Sequence, residues 1–198
     1  MKKLLPIIFV FVLSIAVFGQ SAPTKSASIE QLKAKAKPLK KSRVYAIGYD
    51  KFTDKSIVSF AAETLTSGTH FLITESLLVL GAEFRFDGKT LNNSIDEFTI
   101  IVSGMGKTWQ FSNSQHLYIV AGEARFDLGN GLGNSSVGSN VITGAKTYER
   151  LDFKIIRKDL ETIANAKSVE IKIADRVFTL GDKSKQAFKN VITLGTLE

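Results

Sequence analysis

The sequence predicts a mainly β, α+β fold: an antiparallel β-sandwich or open barrel with a C-terminal helix-hairpin-helix segment. Three observations carry this expectation. Between Val44 and Ile156, apolar residues recur at every second position in short runs, the period of a half-buried strand. Gly, Asn, Asp and Ser separate the runs where a parallel sheet would need intervening helices. After Arg157 the period changes to that of an amphipathic helix, then to a strand pair, then to a helix again.

In chain order, residues 1–19 read as a secretory signal peptide: Lys2 and Lys3, the apolar run Leu4–Phe18, and Val17-Phe18-Gly19 with small residues where a signal peptidase reads them. The apolar run is about fifteen residues long and contains Pro6, whereas a membrane span needs roughly twenty. No transmembrane segment is therefore expected after signal removal. The chain has no Cys, which excludes a lipidated cysteine, disulfides and Cys-ligated metal. The expected location is exported, periplasmic or extracellular, in a bacterial envelope.

Residues 20–43 read as a flexible basic leader, too poor in apolar groups to offset the entropy of ordering. Ile29, Leu32 and Ala36 match one or two amphipathic helical turns, which Pro38 would end. The lysines from Lys33 to Lys41 read either as a solvated tether or as an adhesive for anionic lipid or polysaccharide. They also explain the formal charge of +7. Residues 1–19 hold two lysines and no acid, and residues 20–43 hold seven basic residues against Glu30, which leaves residues 44–198 at −1. A near-neutral folded part argues against a nucleic-acid partner.

Residues 44–198 suit a single β-rich domain, with strands over 44–156 and helix, strand, strand, helix over 157–198. Tyr45, Ile47 and Tyr49 alternate, as do Val58 and Phe60, then Phe98, Ile100 and Val102, then Leu151, Phe153 and Ile155. Phe71 to Leu80 is largely apolar, and Trp109 and Phe111 extend the series. Turns are expected at Ser67-Gly68, Asp87-Gly88, Asn92-Asn93, Gly104-Met105-Gly106 and Asn113-Ser114, with a long loop from Gly129 to Asn140. In the tail, a helix starting near Asp159 precedes strands at Val169–Ile173 and Val177–Leu180. Asp182 is expected to cap the last helix and Gly195 to end it in a left-handed turn.

Tyr49-Asp-Lys-Phe-Thr-Asp54 before a strand, and Asp159 to Ile171 (DLETIANAKSVEI) with Phe178-Thr-Leu180 after it, resemble exported bacterial proteins of unknown function. The resemblance covers the two ends of the domain. It implies an envelope setting only and carries over nothing catalytic.

One internal repeat organises the middle of the chain. Leu77–Asp87, LLVLGAEFRFD, returns after 40 residues as Leu117–Asp127, LYIVAGEARFD. An even offset would keep Glu83, Arg85 and Asp87 in the same pleat phase as Glu123, Arg125 and Asp127. The structural reading is a solvated face whose opposite charges pair along or across strands. The functional reading gathers six charges into one patch, with Arg85 and Arg125 offering forks to carboxylates or phosphates. Asn130 and Asn134 join these six as binding candidates, because the long loop could hold a sugar or anion on its amides.

No reaction chemistry converges. Gly104-Met-Gly-Lys-Thr108 ends like a phosphate-binding loop but has Ile101 where the first glycine belongs. The segment from Gly129 puts Asn134 where a dinucleotide fingerprint needs its third glycine, and Asp127 is its one nearby carboxylate for calcium. His70 and His116 each lack a second ligand at strand spacing, and Ser135 and Ser136 lack a nucleophile elbow. The expectation is no catalytic residue, no metal and no cofactor. It gives an exported binding or scaffolding module for an envelope protein or polysaccharide. The alternative is a carrier of an apolar small molecule inside a shell of Phe71, Phe84, Phe86, Trp109 and Tyr118, and a hydrolase of envelope polymers comes last.

Overall fold

The alternating runs become two antiparallel sheets in a computed structural model, which describes residues 25–39, 45–65, 76–106, 111, 115–140 and 144–197. In chain order the elements are β1 (Ala27–Ser28), α1 (Ile29–Ala36) with a 3-10 turn over Lys37–Leu39, β2 (Tyr45–Asp50), β3 (Lys55–Leu65) and β4 (Ser76–Asp87). There follow β5 (Thr90–Leu91), β6 (Glu97–Gly106), β7 (His116–Ala121), β8 (Ala124–Asn130), β9 (Leu132–Asn140) and β10 (Gly144–Ile156). The tail is α2 (Arg157–Asn165), β11 (Val169–Ile173), β12 (Arg176–Thr179) and α3 (Asp182–Leu194). A curled six-stranded sheet runs β2-β3-β4-β6-β10-β9, a second sheet β12-β11-β7-β8, and β1 pairs with β5. The mainly β fold and the helix, hairpin, helix tail agree with the sequence. Among the described residues, no helix is long and apolar enough to cross a membrane.

Register explains which face is buried. Leu80 stands opposite Val102, and Val102 opposite Leu151, so these three share one face with Phe84, Phe98, Ile100 and Phe153. That face meets Leu117, Ile119 and Ile171 of the second sheet and Phe188 and Val191 of α3 in one buried cluster. Each large apolar side chain buried there contributes about 1.5–3 kcal/mol. The other face of the six-stranded sheet carries no helix among the described residues, and its side chains include the alternate residues Glu83, Thr99, Ile101, Arg150 and Asp152.

Several expectations are corrected. Gly129–Asn140 is no loop: it is the end of β8, a one-residue link at Gly131, and β9, which pairs with β10 along its whole length. Ser, Asn and Gly are poor strand formers, and a full ladder of main-chain bonds overrides that preference. Gly131 lies so close to β10 that a Cβ on it would come within 2.7 Å of the Phe153 ring. Gly104 and Gly106 belong to β6 rather than to a turn.

The described part of the expected leader, residues 25–39, is folded. Ser28 and Gln31 form a capping box on α1, and Leu32 and Ala36 are 1% and 0% exposed against α3 and β2. Three apolar residues on one helical face suffice here because β1, held by Leu91, delivers them to the core. Asp182 starts α3 instead of capping it; Gly181 is the N-cap, and Asp182 pairs with Lys185 at 2.9 Å. Gly195 is not left-handed, with φ −80°. Its missing side chain makes room for Ile95 and Phe98, which a Cβ would meet at 3.2 Å. Residues 1–19, expected to be a signal peptide, and Ser67-Gly68, His70, Phe71, Trp109 and Asn113-Ser114 lie outside the described residues.

Candidate functional site

The helix-free face of the six-stranded sheet concentrates the polar chemistry. Glu83 projects from β4 yet is only 2% exposed. Its Oε1 accepts from Arg85 Nε at 3.0 Å and pairs with Arg150 Nη2 at 2.9 Å. Arg150 in turn holds Asp152 through Nε at 2.6 Å and Nη2 at 3.2 Å. Because β6 lies between β4 and β10, this Arg85–Glu83–Arg150–Asp152 chain passes over β6. Ile101, in register between Gly81 and Asp152, is accordingly 6% exposed. Burial disfavours the charge on Arg150; hydrogen bonds and attraction from Asp152 and Glu83 outweigh it and raise the guanidinium above its ordinary pKa. Glu83 Oε2 is buried and accepts no hydrogen bond from the described residues.

Two depressions flank this chain. One, of about 650 Å³, runs along Arg85–Asp87, the Thr90–Glu97 connection, Leu132, Asp152 and Lys154. It is lined by the carboxylates of Glu83, Asp87, Asp96, Glu97 and Asp152 against Arg85 and Lys154, with Asn92, Asn93, Ser94 and the two threonines Thr90 and Thr99 between them. Lys154 is paired with Glu97 at 2.6 Å. The other, of about 430 Å³, is bounded by Val79, Met105, Tyr148, Ser103, Asn134, Ser136 and Arg150 and is mostly apolar. Both volumes fall in the range of small-ligand sites.

The two copies of the repeat do not form one patch. Glu83, Arg85 and Asp87 lie on the six-stranded sheet, whereas Arg125 and Asp127 lie on β8 of the other sheet and Glu123 in the β7–β8 turn. Transposed residues decide this. Leu80-Gly-Ala-Glu83 stays extended, and a Cβ on Gly81 would lie 2.9 Å from the Phe60 carbonyl oxygen. Val120-Ala-Gly-Glu123 instead places Gly122 at φ +62°, which closes a hairpin. Asn130 is exposed at the end of β8 opposite His116, and Asn134 sits on β9 opposite Arg150 at the apolar depression. Of the eight candidates, Glu83, Arg85, Asp87 and Asn134 share the helix-free face.

His116 gains a neighbour that strand spacing did not show. Its Nδ1 lies 3.3 Å from both Asp127 Oδ1 and Tyr118 Oη, and its ring stacks on Tyr118 at 5.6 Å. The Gly129 amide, reinforced by His116, holds the Asp127 carboxyl below its ordinary pKa. Both partners share one ring nitrogen, and among the described residues the set is exposed and borders neither depression. Among the described residues no three His, Asp or Glu group to hold a metal.

Sequence reading missed Arg150, Asp152, Lys154 and Tyr148. Their signal is the alternation Tyr148, Arg150, Asp152, Lys154 between Leu151, Phe153 and Ile155, which marks one polar face of a strand. Only the strand order shows that this face adjoins Glu83. Compared with known proteins, the chain matches no family model, and no curated protein or solved structure is significantly similar to it.

Proposed function

We propose that the protein is a non-catalytic exported binding module of the bacterial envelope, and that the 650 Å³ groove beside Glu83 takes up a hydroxyl- and amine-bearing polysaccharide. The observation that carries this reading is the groove's lining: five carboxylates, two asparagines and three hydroxyls offer acceptors and donors at many angles, and the two basic groups leave it net acidic. Carboxylates already engaged by Arg85, Arg150 and Lys154 are held in place before a ligand arrives, which lowers the ordering cost of binding.

Co-sedimentation with insoluble cell-wall polysaccharide tests the proposal. Asp96→Ala combined with Asn93→Ala, both on the exposed groove rim, is expected to reduce the bound fraction several-fold without changing the fold. Undiminished binding by the double variant, or soluble sugar released by the wild type, contradicts it.

A second reading, carriage of an apolar small molecule, draws on the 430 Å³ depression at Val79, Met105 and Tyr148. The aromatic shell first expected for that role does not assemble among the described residues: Phe84 packs edge-on against Phe98 in the core, and Tyr118 is exposed on the other sheet.

A further inference from the structure

Each sheet ends in two edge strands, and edges that remain monomeric are usually blunted by charge, proline, shortness or a cover. Three of the four edges here carry such a device. The four-residue β12 includes Arg176, β8 includes Arg125 and Asp127, and β2 ends in Asp50 and is touched by α1. The fourth, β9, has none among the described residues. Its nine residues, LGNSSVGSN, contain no charge and no proline, and among the described strands it bonds to β10 alone. Leu132 and Val137 are 74% and 63% exposed on it.

We propose that β9 pairs antiparallel with β9 of a second copy about a two-fold axis near Ser136, joining two six-stranded sheets into one. A charged peptide finds no complementary charge on β9, whereas a neutral extended strand of equal length does not clash with it, and the chain's own copy supplies one. Centred on Ser136, the pairing sets Ser135 against Val137 and Asn134 against Gly138, with no like charges opposed. Nine paired residues supply on the order of eight main-chain hydrogen bonds, close to the ~10 of an ordinary interface. Antiparallel pairing keeps the helix-free faces on the same side, so the two apolar depressions, each bordered by Asn134 and Ser136, meet across the axis.

Sedimentation velocity on the purified protein at micromolar concentrations tests this. A species of twice the chain mass is expected for the wild type and for Val177→Lys, whose site is an exposed apolar residue on β12. Val137→Lys, and separately Ser136→Lys, are expected to lose the dimer while keeping the wild-type circular dichroism. A monomeric wild type, which is also the result if β9 serves a different partner, overturns the proposal. So does a dimer that survives both β9 substitutions, or one that Val177→Lys removes equally.

Discussion

A carboxylate as buried as Glu83 loses several kcal/mol of hydration, and only well-placed opposite charges restore it. Arg85 and Arg150 do so from two directions, while Asp152 keeps Arg150 from pointing elsewhere. Both arginines retain solvent contact, at 57% and 33% exposure, which weakens each pair relative to a dry one. Glu83→Ala and Arg150→Ala are each expected to cost about 2–3 kcal/mol in urea unfolding, with a double-mutant coupling of ~1 kcal/mol or more. Costs near ~0.5 kcal/mol, the range of exposed pairs, would mean that the chain of charges is surface decoration. Glu83 was visible in the sequence as a charge in an alternating strand. Its burial was not, because the group that covers it, Arg150, lies 67 positions along the chain on a strand that reaches it across β6.

Strands and turns were legible where local chemistry and packing agree. The alternations at Phe98–Val102 and Leu151–Ile155 became β6 and β10, and Asp87-Gly88 became a turn with Gly88 at φ +71°. They were illegible where the packing partner decides. β9 has the composition of a loop and is a strand because β10 supplies its ladder, and α1 has too few apolar residues to fold alone but has a core to enter. The two glycines of the repeat make the same point: Gly122 answers a backbone angle that sequence can suggest, whereas Gly81 answers a carbonyl on β3. Gly81→Ala is therefore expected to cost about 1–3 kcal/mol, since the Cβ would press on backbone rather than on a movable side chain. Gly48→Ala on β2, where a Cβ would meet only Ile57 at 3.9 Å, is the control and should change stability by no more than about 0.5 kcal/mol. Equal effects in thermal melts would show that the contact at Phe60 relaxes freely.

Taken as one body, the molecule separates its surfaces. Helices α1, α2 and α3 and the second sheet pack on the core side of the curled sheet, so the opposite face is free to carry polar groups. The same division explains why the repeat misled: its second copy went to the second sheet, where Asp127 borders the exposed His116. The fold class followed from periodicity alone, but the groove draws on β4, the connection after it, β6, β9 and β10, and its existence depends on strand order. Two-dimensional NMR during titration with a soluble, amine-bearing cell-wall oligosaccharide tests the assignment of this face as the binding surface most directly. Amide shifts are expected to cluster at Arg85–Glu97, Leu132 and Asp152–Lys154; shifts confined to residues 116–130 around His116, or none at saturating ligand, would contradict it.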